Sequence, residues 1–415
     1  MPKHIVLAYS GGLDTSVAIR WLKTTYKAKV TACLVNMGQA GKDLADAKAR
    51  AVANGAEDCV VTESRTAFAE EFLAPAIKAN ALYEGAYPLA TALSRPLIAR
   101  ELVRVARDVG GDAVAHGCTG KGNDQVRIET GVRALAPGLE CIAPQRIAPM
   151  TRDAAVEYAK KHGLKLAPIR RSPYSTDENM WGRSVEGGDI EDPAEPVPEE
   201  AYAWTTSAAK APDAPGVFTI GFDGGVPVSL GGKGRALADL CETLNAGIGK
   251  HGVGRIDHVE NRLVGIKSRE VYEAPAATAI LAAKKALETL TLTRDEFQFK
   301  PVLEAKFAAC TYDGLWYSPT MKAVNAFVDT VQENVTGTAT VSAFKGALTV
   351  TGRESPNSLY KTNLATYGAK DSFDHQASAG FITIWSLPLE TAGAVRQAAA
   401  SKAAATGKAK KSTKG

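Results

Sequence analysis

The chain has 415 residues, 45% of them apolar and 23% charged. That composition belongs to a folded globular protein and excludes a wholly disordered, collagenous or coiled-coil chain. At roughly 150 residues per domain it allows two or three domains. Lys and Arg number 49 against 45 Asp and Glu, a formal net charge of +4 that is too small to mark a nucleic-acid binder by itself. No apolar run approaches the ~18 residues that span a bilayer. The start, Met1-Pro2-Lys3-His4-Ile5, runs straight into a strand-like segment, so no signal peptide is expected. The cysteines (Cys33, Cys59, Cys118, Cys141, Cys241, Cys310) are scattered without a CxxC pair. They point to reduced thiols in a cytoplasmic protein, not to a disulfide framework or zinc site.

The first 165 or so residues alternate two periodicities. Ile5 to Tyr9 is an apolar run ending in Ser10-Gly11-Gly12, and Thr15 to Lys23 has helical spacing. Val30 to Val35 predicts a second strand, Leu44 to Asn54 a helix closed by Gly55, and Cys59 to Val61 a third strand. Leu93 to Val109 predicts a long helix closed by Gly110-Gly111. Ala113 to Ala115 and Cys141 to Ala143 predict two more strands, and Ala154 to His162 a helix ended by Gly163. Strands alternating with helices predict a doubly wound parallel sheet.

Beyond residue 168 the texture changes. Pro168, Pro173, Pro193, Pro196 and Pro198 predict a loop-rich connection. Period-2 runs at Val217 to Ile220, Thr338 to Phe344 and Ala347 to Thr351, with helices near Leu237 to Leu244 and Ala276 to Leu290, predict an α+β domain with antiparallel hairpins. Ala398 to Gly415 is Ala/Lys-rich and reads as a frayed, solvated tail. The expected division is 1–167, 168–389 and a C-terminal helix and tail at 390–415.

Ala8-Tyr9-Ser10-Gly11-Gly12-Leu13-Asp14-Thr15-Ser16 joins the first strand to the first helix. Paired glycines let the backbone turn sharply and approach an anion, and the N–H groups of the loop and first helical turn form an anion-binding concavity. Ser10, Thr15 and Ser16 add hydroxyl donors. Asp14 is odd in an anion site unless a cation such as Mg²⁺ or a substrate amine stands beside it. The loop is no Walker A, since it lacks GxxxxGK[ST]. It resembles the SGGxDS/T pyrophosphate loop of the N-type ATP pyrophosphatases, which cleave ATP between the α and β phosphates. Gly247-Ile248-Gly249-Lys250-His251-Gly252 matches GxGxxG but follows a helix, and reads as a structural loop.

A second glycine-rich loop, His116-Gly117-Cys118-Thr119-Gly120-Lys121-Gly122-Asn123-Asp124-Gln125-Val126-Arg127, follows the fourth strand. In a doubly wound sheet, strands one and four flank the point where strand order reverses, and ligands bind there. Both loops should therefore meet at one crevice. Arg127 suits a bidentate pair with a carboxylate, and Asp124 suits an α-ammonium.

With both loops in hand, the sequence is similar to the argininosuccinate synthases. The resemblance is carried by AYSGGLDTS (8–16), ALYEG-YPL-TAL-RP (81–96), HG-TGKGNDQVR (116–127), SPYSTDEN (172–179), SVEGG (184–188), GVGRIDHVENR (252–262), KSREVYEAP (267–275) and KTNLATYG (361–368). It covers about residues 3–390. It implies an adenine-nucleotide α-hydrolase-like fold and a cytoplasmic homotetramer assembled through a C-terminal helix. The reaction implied joins citrulline to aspartate, with ATP going to AMP and pyrophosphate in the presence of Mg²⁺ through a citrullyl-adenylate. The implied ATP site is Ala8, Tyr9, Ser10, Gly11, Gly12, Leu13, Asp14, Thr15 and Ser16, with Val35 and Gly117. The implied citrulline site is Tyr87, Ala92, Asn123, Arg127, Ser175, Ser184, Glu260 and Tyr272, and the implied aspartate site is Thr119, Asn123 and Asp124. Neither nucleic acid nor membrane is an expected partner.

The departures are modest. Ala92 stands where members often carry a hydroxyl, leaving only a backbone contact. Ala90 stands where Gly is common, and Cys118, where Ala is common, reads as a small filler. Taken singly, the tyrosines read as core or rim aromatics, the serines as turn residues and Glu260 as a paired strand residue; only their joint spacing makes them site candidates. No general base for the aspartate amine is evident. Another enzyme of the same ATP-pyrophosphatase fold, or a nucleotide-sensing binding protein, is the alternative.

Overall fold

The computed structural model describes residues 1–39, 43–167 and 173–412. The chain forms two compact units, Met1–Leu359 and Tyr360–Gly415. The first unit opens with a parallel sheet of β1 (His4–Ala8), β2 (Lys29–Asn36), β3 (Asp58–Glu63), β4 (Ala113–Ala115) and β5 (Glu140–Ile142), ordered β3-β2-β1-β4-β5. Ile5 pairs in register with Val30 on one side and Ala113 on the other. Ile5, Val6 and Leu7 are fully buried. Ile5 and Leu7 enter a core with Ile19, Leu22, Ala47 and Ala51, whereas Val6 enters another with Phe72, Val103, Ala106 and Val114. Burial on both faces explains why the strand is an unbroken apolar run without alternation. The chain builds outward from β1 to β3 and then returns to the other side of β1 as β4, which is the doubly wound arrangement.

Two antiparallel sheets follow. One is ordered β11-β12-β7-β6, from β6 (Ser175–Asn179), β7 (Gly182–Glu186), β11 (Arg255–Asn261) and β12 (Lys267–Glu273). The other is ordered β10-β9-β8-β13-β14, from β8 (Gly216–Asp223), β9 (Val226–Leu230), β10 (Lys233–Gly234), β13 (Gly337–Phe344) and β14 (Ala347–Glu354). The expected fold class, a parallel α/β sheet with a further α+β part, is what the molecule has.

Several elements differ from the sequence reading. The proline-punctuated connection contains the β6–β7 hairpin, whose strands STDEN and GRSVE carry almost no apolar signal. Pro168, like the expected boundary beside it, lies at residues outside the described ones. The helices Asp124–Leu135, Arg294–Tyr312 and Pro319–Gln332 were not marked by their periodicity, nor was the run from Arg65 to Lys78, which contains a π-helical stretch at Phe68–Leu73. The Ala/Lys-rich tail is corrected in its frayed reading only: residues 398–412 continue the helix Ala377–Ser412 of the second unit, and residues 398–405 are exposed, as a solvated segment should be. Alanine is the strongest helix former, so the composition that reads as low complexity is equally a helix composition. Lys414 lies outside the described residues. The GxGxxG segment ends the helix Leu237–Gly249, where a Cβ on Gly249 would lie 2.4 Å from the Trp204 carbonyl oxygen, so these glycines serve close packing.

A buried ionic cluster ties four helices of the first unit together. Lys284 bonds Glu288, the Lys78 carbonyl at 3.1 Å and Gln332 Oε1 at 3.1 Å. Lys300 reaches Glu288 at 3.1 Å and Glu304 at 2.6 Å, and Asn80 donates to both carboxylates. Burial pushes the Glu288 carboxyl up, but the charges of Lys284 and Lys300 outweigh it and hold it at about 2. Glu288→Gln would take from buried Lys284 its carboxylate and from Lys300 one of its two, an expected loss of about 3–5 kcal/mol. Denaturant midpoints of variant and parent measure it, and a change under ~1 kcal/mol would contradict the account.

Candidate active site

The first loop continues β1 with a Tyr9 N–H bond to the Cys33 carbonyl at 2.9 Å. Gly11 then turns the chain at φ +78°, where a side chain would be strained. Gly12 starts the helix Leu13–Tyr26 without a side-chain cap, leaving the first-turn N–H groups for an external acceptor. Ser10 Oγ and Thr15 Oγ1 lie 3.2 Å apart, and the Gly12 N–H donates to Ser10 Oγ at 3.3 Å. Across from this turn stands Gly117, where a Cβ would come within 3.1 Å of Thr15 Cγ2. The two glycine-rich loops therefore touch.

Together they line a cleft of about 480 Å³ that includes Ala8, Tyr9, Ser10, Gly12, Leu13, Asp14, Thr15, Val35, Gly117 and Asp124. Gly11 and Ser16 stand behind its surface. Ser16 is fully buried, with its hydroxyl 3.4 Å from that of Tyr9, so the structure does not bring it to the cleft as a donor. Burial pushes the Asp14 carboxyl up, against the opposing charge of Arg152. A phosphate alone would push it further. A hard cation held jointly by phosphate oxygens and this carboxylate fits the donor set. Cys118 is pushed up to about 12 by burial and stays a thiol, in keeping with a filler.

A second, smaller cleft of about 130 Å³ gathers most of the remaining candidates: Tyr87, Thr119, Asn123, Asp124, Arg127, Ser175, Ser184, Glu260 and Tyr272. Both clefts share Arg95, Asp124, Ser175, Asp177 and Glu186 in their walls, so they adjoin. The side chains come from five places: the segment before the helix Ala90–Val109, the second glycine-rich loop, the start of the helix Asp124–Leu135, the β6–β7 hairpin and the β11–β12 pair. Tyr272 and Ser184 are register partners across β12 and β7.

An aromatic framework fixes the polar groups. Tyr87 stacks on Tyr272 at 4.1 Å between centroids, and Tyr83 on Tyr312 at 3.5 Å. The phenols of Tyr272 and Tyr312 each donate to Glu260, both at 2.5 Å. Asn123 donates to Tyr312 at 2.8 Å and accepts from the Leu263 N–H at 2.9 Å. The Tyr87 hydroxyl accepts the N–H groups of Thr91 and Ala92, at 2.9 and 3.3 Å. It thereby caps a helix whose preceding residue, Leu89, holds φ +65°. Ala92 is fully buried and its N–H is taken up by Tyr87, so the backbone contact expected of it is made inside the protein.

The charged groups of the second loop are bonded to one another and to their neighbours. The Arg127 guanidinium donates from Nε to the Tyr312 carbonyl at 2.7 Å and from Nη1 to Asp124 at 3.0 Å, and stands over the Tyr312 ring. Two of its five N–H groups are thus engaged inside the protein, and Nη2 is buried without a protein partner. Asp124 is likewise engaged: burial pushes it up, but Arg95 and Arg127 outweigh burial and hold it at about 2. Arg95 joins Asp124, at 2.6 Å, to Asp177.

Arg95, Thr91, Asp177, Glu186, Arg262 and Glu270 also line the smaller cleft, and sequence reasoning missed them as site residues. All six lie within the stretches that carry the resemblance, so residue type inside those stretches was the available signal. Arg262 donates to Glu186 at 2.8 Å and to Glu270 at 2.6 Å. Burial, reinforced by Glu186, pushes the Glu270 carboxyl up to about 7 despite Arg262.

Comparison with known proteins gives two family matches: the arginosuccinate synthase N-terminal HUP domain over residues 4–165 and the arginosuccinate synthase C-terminal domain over residues 174–392. The chain is 55% identical over 384 residues to an argininosuccinate synthase of Geobacillus kaustophilus, covering 92% of this chain and 94% of that protein. It is 52% identical over 398 residues to one of Symbiobacterium thermophilum, covering 96% of this chain and 99% of that protein.

A carboxyl with a raised pKa binds its proton more tightly in the folded state. Glu270 should therefore make stability fall as pH rises from its ordinary 4.5 to about 7. Glu270→Gln is expected to remove that part of the fall. Melting temperatures of both proteins across this window test it, and parallel curves would sink it.

Proposed function

The chain belongs to the argininosuccinate synthase family, and from that premise we propose how its residues carry the reaction. The enzyme is an ATP-dependent carbon–nitrogen ligase of arginine biosynthesis, joining citrulline and aspartate to give argininosuccinate, AMP and pyrophosphate. The ureido oxygen of citrulline attacks the α-phosphorus of ATP, the bond from that phosphorus to pyrophosphate breaks, and a citrullyl-adenylate forms. The aspartate amine then attacks the activated ureido carbon, loses a proton and expels AMP. A urea is resonance-stabilised, and adenylation turns its oxygen into a leaving group.

The observation that carries this reading is the shared wall of the two clefts, Arg95, Asp124, Ser175, Asp177 and Glu186, across which a nucleotide and an amino acid would meet. The β and γ phosphates lie against Ser10, Gly12, Thr15 and the first-turn N–H groups, with the adenine toward Val35. Negative charge developing on pyrophosphate is stabilised by those donors. Mg²⁺ neutralises phosphate charge when bound, with Asp14 the carboxylate that would hold it. Citrulline lies among Tyr87, Ser175, Ser184, Glu260 and Tyr272. Aspartate lies at Thr119, Asn123 and Asp124. Arg127 offers its single unmet Nη2 to a ligand carboxylate.

Homotetramer assembly through the C-terminal helix is supported by exposed apolar side chains along Ala377–Ser412, among them Phe381, Ile384, Trp385 and Leu389. A cytoplasmic setting is supported by the free state of all six cysteines.

With citrulline labelled at the ureido oxygen, the label is expected in AMP, and pyrophosphate release is expected to require citrulline. Ser10→Ala should lower kcat by about 100-fold while leaving the citrulline KM nearly unchanged. ADP and orthophosphate as products would overturn the reading.

A further inference from the structure

The second glycine-rich loop is held from beneath by four side chains, of which His116 alone borders the larger cleft. His116, at the end of β4, is almost wholly buried. Its Nδ1 lies 3.3 Å from the Cys118 backbone N–H, and its Nε2 lies 3.1 Å from Glu129 Oε1. An amide nitrogen can only donate, so Nδ1 is the acceptor and Nε2 carries the proton that goes to Glu129. Glu129, on the helix Asp124–Leu135, is paired in turn with Arg146 Nη1 at 2.5 Å. Arg146 donates to Gln125 Oε1 at 2.9 Å. Gln125 Nε2 donates to the Gly120 carbonyl at 2.6 Å and to the Gly122 carbonyl at 3.2 Å. A continuous hydrogen-bonded path therefore leaves the loop at Cys118 and returns to it at Gly120 and Gly122.

His116, Glu129 and Cys141 also bring ligand atoms within 4.8 Å of one another, a spacing a metal ion could use. The chemistry favours the hydrogen-bonded path. Arg146 sits on the carboxylate, the Cys118 amide occupies Nδ1, and burial pushes the Cys141 thiol up to about 12. Burial also pushes Glu129 up, but His116 and Arg146 outweigh it and hold the carboxyl at about 2. Glu129 is thus a permanent acceptor that fixes the imidazole tautomer.

We propose that His116, Glu129, Arg146 and Gln125 form a brace that sets the conformation of the Gly117–Gly122 loop, with the single His116 tautomer as its directional element. These are positioning residues. The loop needs such a brace because Gly117, Gly120 and Gly122 give its backbone wide freedom, and it would otherwise pay conformational entropy on binding. The assignment of Thr119 to aspartate rests on the reading under "Proposed function"; the brace itself does not.

The test uses Gln125→Met and Arg146→Met in the full chain. Arg146 has a side chain 40% exposed, so its variant is the milder one for folding. Amide hydrogen exchange in the free protein is expected to quicken about tenfold at Cys118–Gly122 in both, as for loss of about one hydrogen bond, with β1 and β2 unaltered. The aspartate KM is expected to rise about tenfold while the citrulline KM stays within about twofold. His116→Gln, which retains an acceptor oxygen, should restore more of the loop protection than His116→Phe. Unchanged loop exchange, or exchange quickened equally through the sheet, overturns the brace. A loosened loop with an unchanged aspartate KM supports the brace and overturns the assignment of the loop to aspartate.

Discussion

Gly117 abuts Thr15 so closely that a methyl group on the glycine would press on the threonine side chain. Everything else about the site depends on that approach. It exists because the parallel sheet grows from β1 to β3 and then resumes at β4 on the other side of β1. Two turns separated by a hundred residues become neighbours at the carboxyl ends of adjacent strands. Twofold burial of Ile5, Val6 and Leu7 holds that sheet edge-on between helices, so the turns project from a rigid base. A phosphate site on one turn and an amino-acid site on the other then share a wall without any long-range motion.

The remainder of the site is built by a different logic. The antiparallel hairpin of β6 and β7 and the β11–β12 pair contribute short polar strands whose residues face the cleft. Their positions are fixed by stacked tyrosines and by a carboxylate, Glu260, that receives two phenols. Arg95 is the tie between the two parts, since it bonds Asp124 beyond the parallel sheet and Asp177 on the hairpin. The guanidinium is largely buried and depends on both carboxylates, whereas Asp177 is partly exposed and Asp124 is also paired with Arg127.

The parallel sheet and both loops were legible because their signals are local: an unbroken apolar run, paired glycines after it, helical spacing after those. The hairpin was hidden because STDEN and GRSVE have no apolar face; only Val185 in β7 is a buried apolar side chain. Similarity to the family singled out Ser175 and Ser184, which periodicity could not. Tyr312 lay in no recognised stretch, yet it holds Arg127, Asn123 and Glu260; its position 185 residues from Arg127 is a property of the tertiary fold alone. The internal bonds of Arg127 from Nε and Nη1 were hidden for the same reason, since residue type shows donor capacity and not which donors the protein already occupies. The frayed tail failed because charge and low complexity were weighed above alanine's helix propensity.

The lone Nη2 of Arg127 has a bearing on selectivity. A buried donor that no protein group answers is a deficit that an incoming oxygen makes good. A compound of the same shape lacking that oxygen leaves the deficit standing after it has settled in. Discrimination at this point therefore comes less from shape than from an obligation the pocket carries before any guest arrives.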